Sequence, residues 1–318
     1  MKLGILVRMC EKDTFDGKFV PARFKSIDEA VGGTPLVPLH RICSVEHASV
    51  FVKLESQNPG GSVKDRAAQA IISAAEADGR LCKNKTLIDA SSGNTGIAYA
   101  MFCAARGYSC EICLPANASY ERKTLIKRYG AHLVETDPAE GSDGAILEAR
   151  KRVSAYPEQY FYADQYNNPE NWRAHYRTTA MEIWEQTGGT VTHWIVMLGT
   201  TGSFIGTGMK LKELNPKIRL IAVQPSSPFH GIEGAKHLDS AIIPGIYNPD
   251  LADETVCITT EEAQEMTLCL AQEEGCLAGV SGGANVSAAL RLAVDSPPDS
   301  VVVTLLPDSG ERYLSDAW

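Results

Sequence analysis

Short β-branched runs alternate with longer amphipathic stretches along most of the chain, and that alternation most constrains the fold. The strand candidates are 50–55, 86–90, 109–114, 131–135, 193–198, 219–223, 254–258 and 300–306. The helix candidates between them are 65–78, 95–106, 119–129, 142–154, 172–187, 202–214, 260–274 and 283–294. Strand, helix, strand in repetition predicts an α/β protein with largely parallel sheets covered by helices. Ligands of such sheets sit outside the carboxyl ends of the strands, so the strand-to-helix turns deserve the closest reading. A chain of 318 residues can bury a full core and form two domains. The cluster Asn167-Asn168-Pro169-Glu170-Asn171 is read as the boundary between two α/β layers, dividing the chain into 1–165 and 166–318.

Composition removes several function classes. A net charge of −9 argues against a nucleic-acid partner, which would need a basic face. No apolar run approaches the roughly 20 residues of a membrane span. Leu3-Gly4-Ile5-Leu6-Val7 is cut short by Arg8 and Glu11, too little for a signal-peptide core, and the chain is read as cytoplasmic. The nine cysteines are scattered, as reduced cytosolic thiols are. Cys110 and Cys113 share a strand candidate and point to opposite faces, and no spaced histidine completes a metal set; core thiols are the reading, with no metal.

Four turns carry chemistry. Lys64 stands in Asn58-Pro59-Gly60-Gly61-Ser62-Val63-Lys64-Asp65-Arg66, between a strand and a helix. With Ser62 as N-cap, Lys64 falls in the first helical turn. Partial positive charge there disfavours ammonium and favours a neutral, nucleophilic amine of the kind that forms a Schiff base; a solvated lysine is the alternative. Gly199-Thr200-Thr201-Gly202-Ser203 also joins strand to helix. Its backbone N–H groups and hydroxyls suit a terminal monophosphate, without the spacing of a P-loop or dinucleotide fingerprint; a tight turn is the alternative. Ser91-Ser92-Gly93-Asn94-Thr95-Gly96 suits a substrate carboxylate, or is an ordinary cap. Val280-Ser281-Gly282-Gly283-Ala284-Asn285 opens a further helix, and Leu306-Pro307-Asp308-Ser309-Gly310-Glu311-Arg312 after the last strand is read as structural. An amine, a phosphate cup and a carboxylate cup together fit a phosphate-bearing aldehyde cofactor and an amino-acid substrate.

This constellation resembles the pyridoxal-phosphate enzymes of the two-domain tryptophan-synthase β-like fold (fold type II), and more narrowly the cysteine synthases, or O-acetylserine sulfhydrylases. The resemblance runs from about Gly33-Thr34-Pro35-Leu36 to Tyr313-Leu314-Ser315, so 1–30 extend beyond the usual family start. It implies pyridoxal 5'-phosphate as cofactor and Lys64 as the Schiff-base lysine. It implies Asn94 beside the cofactor's 3-hydroxyl, and Ser91, Ser92, Thr95 and Gln165 around the substrate carboxylate. Gly199, Thr200, Thr201, Gly202 and Ser203 match the phosphate loop, and Ser281 matches the serine at the pyridine nitrogen. The first domain would carry Lys64 and the carboxylate loop, the second the phosphate loop and Ser281.

The Gly-Thr-Thr-Gly spelling looks like the B-type cysteine synthases, associated with broader sulfur donors including thiosulfate. Gly282 stands where many relatives have a second serine. Gln224–His230 carries no arginine of the kind that phosphoserine-using relatives place near there, which favours O-acetylserine. The implied reaction is β-replacement giving L-cysteine from O-acetyl-L-serine and sulfide, in a homodimer, with serine acetyltransferase as a partner. The alternatives are an O-phosphoserine sulfhydrylase, a cystathionine β-synthase, an amino-acid dehydratase, or a non-catalytic amino-acid-binding subunit on the same scaffold.

Overall fold

The computed structural model describes residues 24–43, 48–91 and 93–315. Among them are ten strands: β1 Leu36–Pro38, β2 Ser49–Leu54, β3 Thr86–Ala90, β4 Ser109–Pro115, β5 His132–Thr136, β6 Tyr160–Tyr162, β7 His193–Met197, β8 Arg219–Pro225, β9 Glu254–Ile258 and β10 Val301–Leu306. The α-helices are α1 Lys64–Ala77, α2 Asn94–Arg106, α3 Tyr120–Arg128, α4 Gly141–Ala155, α5 Pro169–Arg177, α6 Thr179–Gln186, α7 Gly202–Leu214, α8 Thr260–Glu274 and α9 Val280–Asp295. The strands form two sheets, ordered β1-β2-β10-β7-β8-β9 and β5-β4-β3-β6. Every pairing is parallel except that of β1 with β2.

Both sheets are covered on both faces, which is why their strands read as continuous apolar runs. In the larger sheet Ile195 and Val223 pack with α8 and α9, while Trp194 and Ala222 pack with α6 and α7. In the smaller sheet Leu87 and Ile112 meet α1 and α2, while Ile88 and Cys113 meet α4. Cys110 and Cys113 accordingly lie in different cores, both buried and unbridged.

The strand grouping departs from chain order. β1 and β2 belong to the sheet built mainly from the second half, so a division at 165 cuts that sheet, and only 86–162 supply the smaller one. The Asn167–Asn171 cluster is not an open boundary. Asn168 caps α5 by accepting the Glu170 N–H at 3.1 Å, and Pro169 takes the first helical position, where its missing N–H costs nothing. The single helix expected over 172–187 is two, broken at Thr178, whose hydroxyl turns back to Ala174 O at 2.8 Å and accepts from Arg66 Nη1 at 3.0 Å. β1 and β6, three residues each, lie outside the strand candidates because runs that short show no periodicity.

Candidate active site

The strand-end turns converge through specific contacts. α1 begins at Lys64 itself; Val63, not Ser62, occupies the cap position, although the Ser62 hydroxyl accepts the Lys64 N–H at 3.3 Å. Ser62 forms a backbone bridge with Asp308, and Val63 N–H donates to Pro307 O at 2.8 Å, seating the start of α1 on the turn after β10. A buried ion cluster fixes the same helix from below. Arg66 donates to Glu55 at 2.8 and 2.9 Å and to Glu182 at 2.6 and 2.8 Å, and Lys53 pairs with Glu182 at 2.8 Å.

Lys64 is half-buried, and burial is the main cause that pulls its pKa below the usual lysine value. Asp308 and Glu55 oppose that shift, while Arg122 adds to it. Desolvation therefore favours the neutral amine expected from the sequence.

In the 91–96 turn, Ser91 accepts the N–H groups of Gly93 and Gly96, each at 2.9 Å, and so pins the start of α2. Thr95 donates to Gln165 Oε1 at 2.7 Å, and Gln165 Nε2 donates to Ala90 O at 2.5 Å. Thr95 and Gln165, 70 residues apart in sequence, thus meet. Ser92 lies outside the described residues. Asp89, buried at the end of β3, accepts the Gln165 N–H at 3.1 Å, and burial pushes its carboxyl up to about 8. Asn94 Nδ2 donates to Asp308 at 2.6 Å, and Arg312 donates to Asn94 Oδ1. The segment 306–312, read as structural from sequence, holds a candidate site residue at both ends of its amide.

The 199–203 turn is built around Thr201, at φ 71° in the left-handed region. A β-branched residue rarely stands there, and such strain is a pointer to function. Its hydroxyl is buried without a hydrogen-bond partner among the described residues. Thr200 accepts from Asn171 Nδ2 at 3.0 Å. Gly202 is required by close approach and not by positive φ, since a Cβ there would lie 2.0 Å from Asn171 Oδ1. Ser203 is the second residue of α7, half-buried. Ser281 is buried in the first turn of α9, which starts three residues before the expected 283; the cap position is Gly279, so Ser281 is not the helix cap.

Arg122 of α3 lies over the 91–96 turn, its Cδ filling the space a Gly93 Cβ would take. It stacks on Tyr313 at 4.5 Å and is ion-paired with Glu233. A cavity of about 760 Å³ opens beside that pair, walled by Asn117, Ser142, His230, Glu233, Gly234 and Lys236. Asn171, Asp308, Arg122 and Asp89 were not named from sequence as site residues. Asp308 stood in a turn singled out there, and Asn171 in the cluster read as a domain boundary. The others enter through contacts between segments far apart in the chain.

The buried Thr201 hydroxyl and the amide-rich turn opening α7 fit an anion, and the half-buried amine of Lys64 fits a carbonyl group. The family model for pyridoxal-phosphate dependent enzymes matches residues 27–308. The chain belongs to the pyridoxal-phosphate dependent enzyme family. It is 48% identical to the cysteine synthase of Aquifex aeolicus over 299 residues, covering 92% of this chain and 91% of that protein. It is 40% identical to cysteine synthase B of Escherichia coli over 293 residues, covering 91% and 94%. The O-acetyl serine sulfhydrylase isoform 3 of Entamoeba histolytica superposes with a TM-score of 0.84 at 36% identity, covering 98% of this chain and 93% of that one. Membership makes this protein an enzyme that uses pyridoxal phosphate, on a fold with parallel sheets flanked by helices. Among the described residues no group of His, Cys, Asp or Glu could hold a metal ion, and no helix is long and apolar enough to cross a membrane.

Proposed function

We propose that this enzyme makes L-cysteine from O-acetyl-L-serine and sulfide by β-replacement. Bound pyridoxal phosphate would supply the electron sink for charge developing at the substrate's α-carbon. Lys64 would hold the cofactor and, once freed, take and return the α-proton; burial lowers its pKa and so favours the unprotonated amine that a base needs. Gly199, Thr200, Thr201, Gly202 and Ser203 would seat the phosphate, Ser281 would face the pyridine nitrogen and Asn94 the 3-hydroxyl. Ser91, Ser92, Thr95 and Gln165 would orient the substrate carboxylate, with the turn closing to exclude water. In this reading 1–165 carries the lysine and carboxylate loop, and 166–318 the phosphate loop.

The observation that carries the choice of leaving group is the charge around the cavity. Arg122 is paired with Glu233, and Lys236 with Asp143 at 2.6 Å. Burial and then His237 lower the pKa of His230, which disfavours its cationic form. Arg122 and Lys236, the cations paired at this cavity, are already matched by carboxylates, which supports a neutral acetyl ester over a phosphoryl group. The same reading has a cytoplasmic homodimer that accepts thiosulfate as well as sulfide, with serine acetyltransferase as partner.

The test pairs O-acetylserine, O-phosphoserine and serine with sulfide, thiosulfate and homocysteine. Cysteine from O-acetylserine and sulfide should show the highest kcat/KM. A preference for phosphoserine above about tenfold, worth roughly 1.4 kcal/mol, overturns the donor assignment. Lys64→Ala should lose the visible absorption of the bound cofactor and orders of magnitude in turnover. An unchanged spectrum and rate would remove Lys64 from the mechanism.

A further inference from the structure

Asn171 joins the two halves of the site and has no role in the reading so far. It is buried, and its Nδ2 lies 2.7 Å from Gln165 O and 3.0 Å from Thr200 Oγ1. A backbone carbonyl can only accept, so the amide end facing Gln165 must be the NH2 group. That fixes the orientation of the whole amide and resolves the usual ambiguity of oxygen and nitrogen. The second N–H of the same nitrogen goes to Thr200, whose oxygen must accept it. The Gly202 N–H approaches the same oxygen at 3.5 Å. Thr200 is thereby filled on its acceptor side, and its own proton has to be donated elsewhere. The neighbouring Thr201 hydroxyl, buried without a partner among the described residues, stands in the same turn. The missing side chain of Gly202 leaves room for the Asn171 carboxamide.

We propose that Asn171 is a positioning residue that sets the hydrogen-bond polarity of the phosphate loop, turning Thr200 into an obligate donor toward the cofactor phosphate. This rests on the reading of 199–203 as the phosphate seat. The other hand of the amide holds the Gln165 backbone, so one side chain aligns the phosphate loop with the carboxylate-binding side. Asn171 need touch neither cofactor nor substrate to do this.

The test measures dissociation constants of pyridoxal phosphate and of phosphate-free pyridoxal for the full-length protein freed of cofactor. In Asn171→Asp, a near-isosteric carboxylate accepts from Thr200, reversing the polarity there, and leaves the Gln165 carbonyl without its donor. Pyridoxal phosphate should bind about tenfold more weakly or worse, while pyridoxal changes by less than about twofold. Thr200→Val should show the same selective loss, and the double variant should be little worse than Asn171→Asp alone. Independent, multiplying losses, or equal weakening of both ligands, would overturn the role of Asn171. If Asn171→Asp does not fold, Thr200→Ser and Thr200→Val carry the test. Serine should keep the preference for the phosphorylated ligand and valine lose it; equal preference in both overturns the proposal. A wild-type protein without that preference refutes the phosphate seat and this inference together. A wild-type preference with multiplying losses removes only Asn171.

Discussion

Replacing Thr201 by glycine should separate what stabilises this fold from what binds its anion. Thr201 is β-branched and sits at φ 71°. Strain of that kind costs roughly 1–3 kcal/mol. Its buried hydroxyl has no hydrogen-bond partner among the described residues, at a further cost of roughly 1–3 kcal/mol. Glycine removes both penalties, against roughly 0.5–1 kcal/mol of backbone entropy and about 0.8 kcal/mol for a lost buried methyl. The cofactor-free variant should therefore be more stable than wild type, by about 1–3 kcal/mol. The bound state loses a hydrogen bond to a charged group, worth roughly 1.5–3 kcal/mol, so affinity for pyridoxal phosphate should fall roughly ten- to hundredfold. Urea unfolding of the cofactor-free protein reads the first effect as a higher midpoint at unchanged slope. Cofactor titration reads the second. A lower midpoint, or an affinity within about twofold of wild type, would refute the argument that this residue is strained in the fold for the sake of the anion.

Two further substitutions test how the site is supported. Asp89 has its carboxyl raised from 3.8 to about 8, so between those values the folded protein keeps a proton that the unfolded chain has lost. Its contribution is fully present below pH 3.8 and is lost as pH rises to about 8; Asp89→Asn should flatten the stability profile across that window, and an unchanged slope in urea midpoints against pH would refute the assignment. Arg66→Met leaves buried Glu55 without its main counter-charge and should cost about 3–5 kcal/mol in unfolding free energy; a loss below about 1 kcal/mol would show that the cluster does not hold the start of α1.

Much of the site was legible before any coordinates. Glycine-, serine- and asparagine-rich turns following β-branched runs announce helix starts with free N–H groups, because those residue types favour caps and bends. That local chemistry placed the start of α1 near Lys64, of α2 near Asn94 and of α7 near Gly202. What a linear pattern does not carry is pairing between distant segments. That β2 crosses into the sheet of β7 and β10 follows from which apolar faces can be buried together. The same holds for the small strand β6, too short to show a period. The starts of α1 and α9 show the limit at the scale of a turn: the cap of α1 moves one position from Ser62 to Val63, and α9 starts three residues before the expected 283.

Local propensity and periodicity are enough to set the α/β class, the helix-start turns and the reactive residue types. Only the tertiary structure decided that the Lys64 amine is depressed mainly by burial, because desolvation depends on everything packed around it. It alone brought Asp308 to Asn94, Arg122 over Gly93, and Asn171 between Gln165 and Thr200. Those contacts join residues 214, 29 and 6 positions apart, or leave no trace in spacing at all, and only a folded chain can satisfy buried polar groups with such partners.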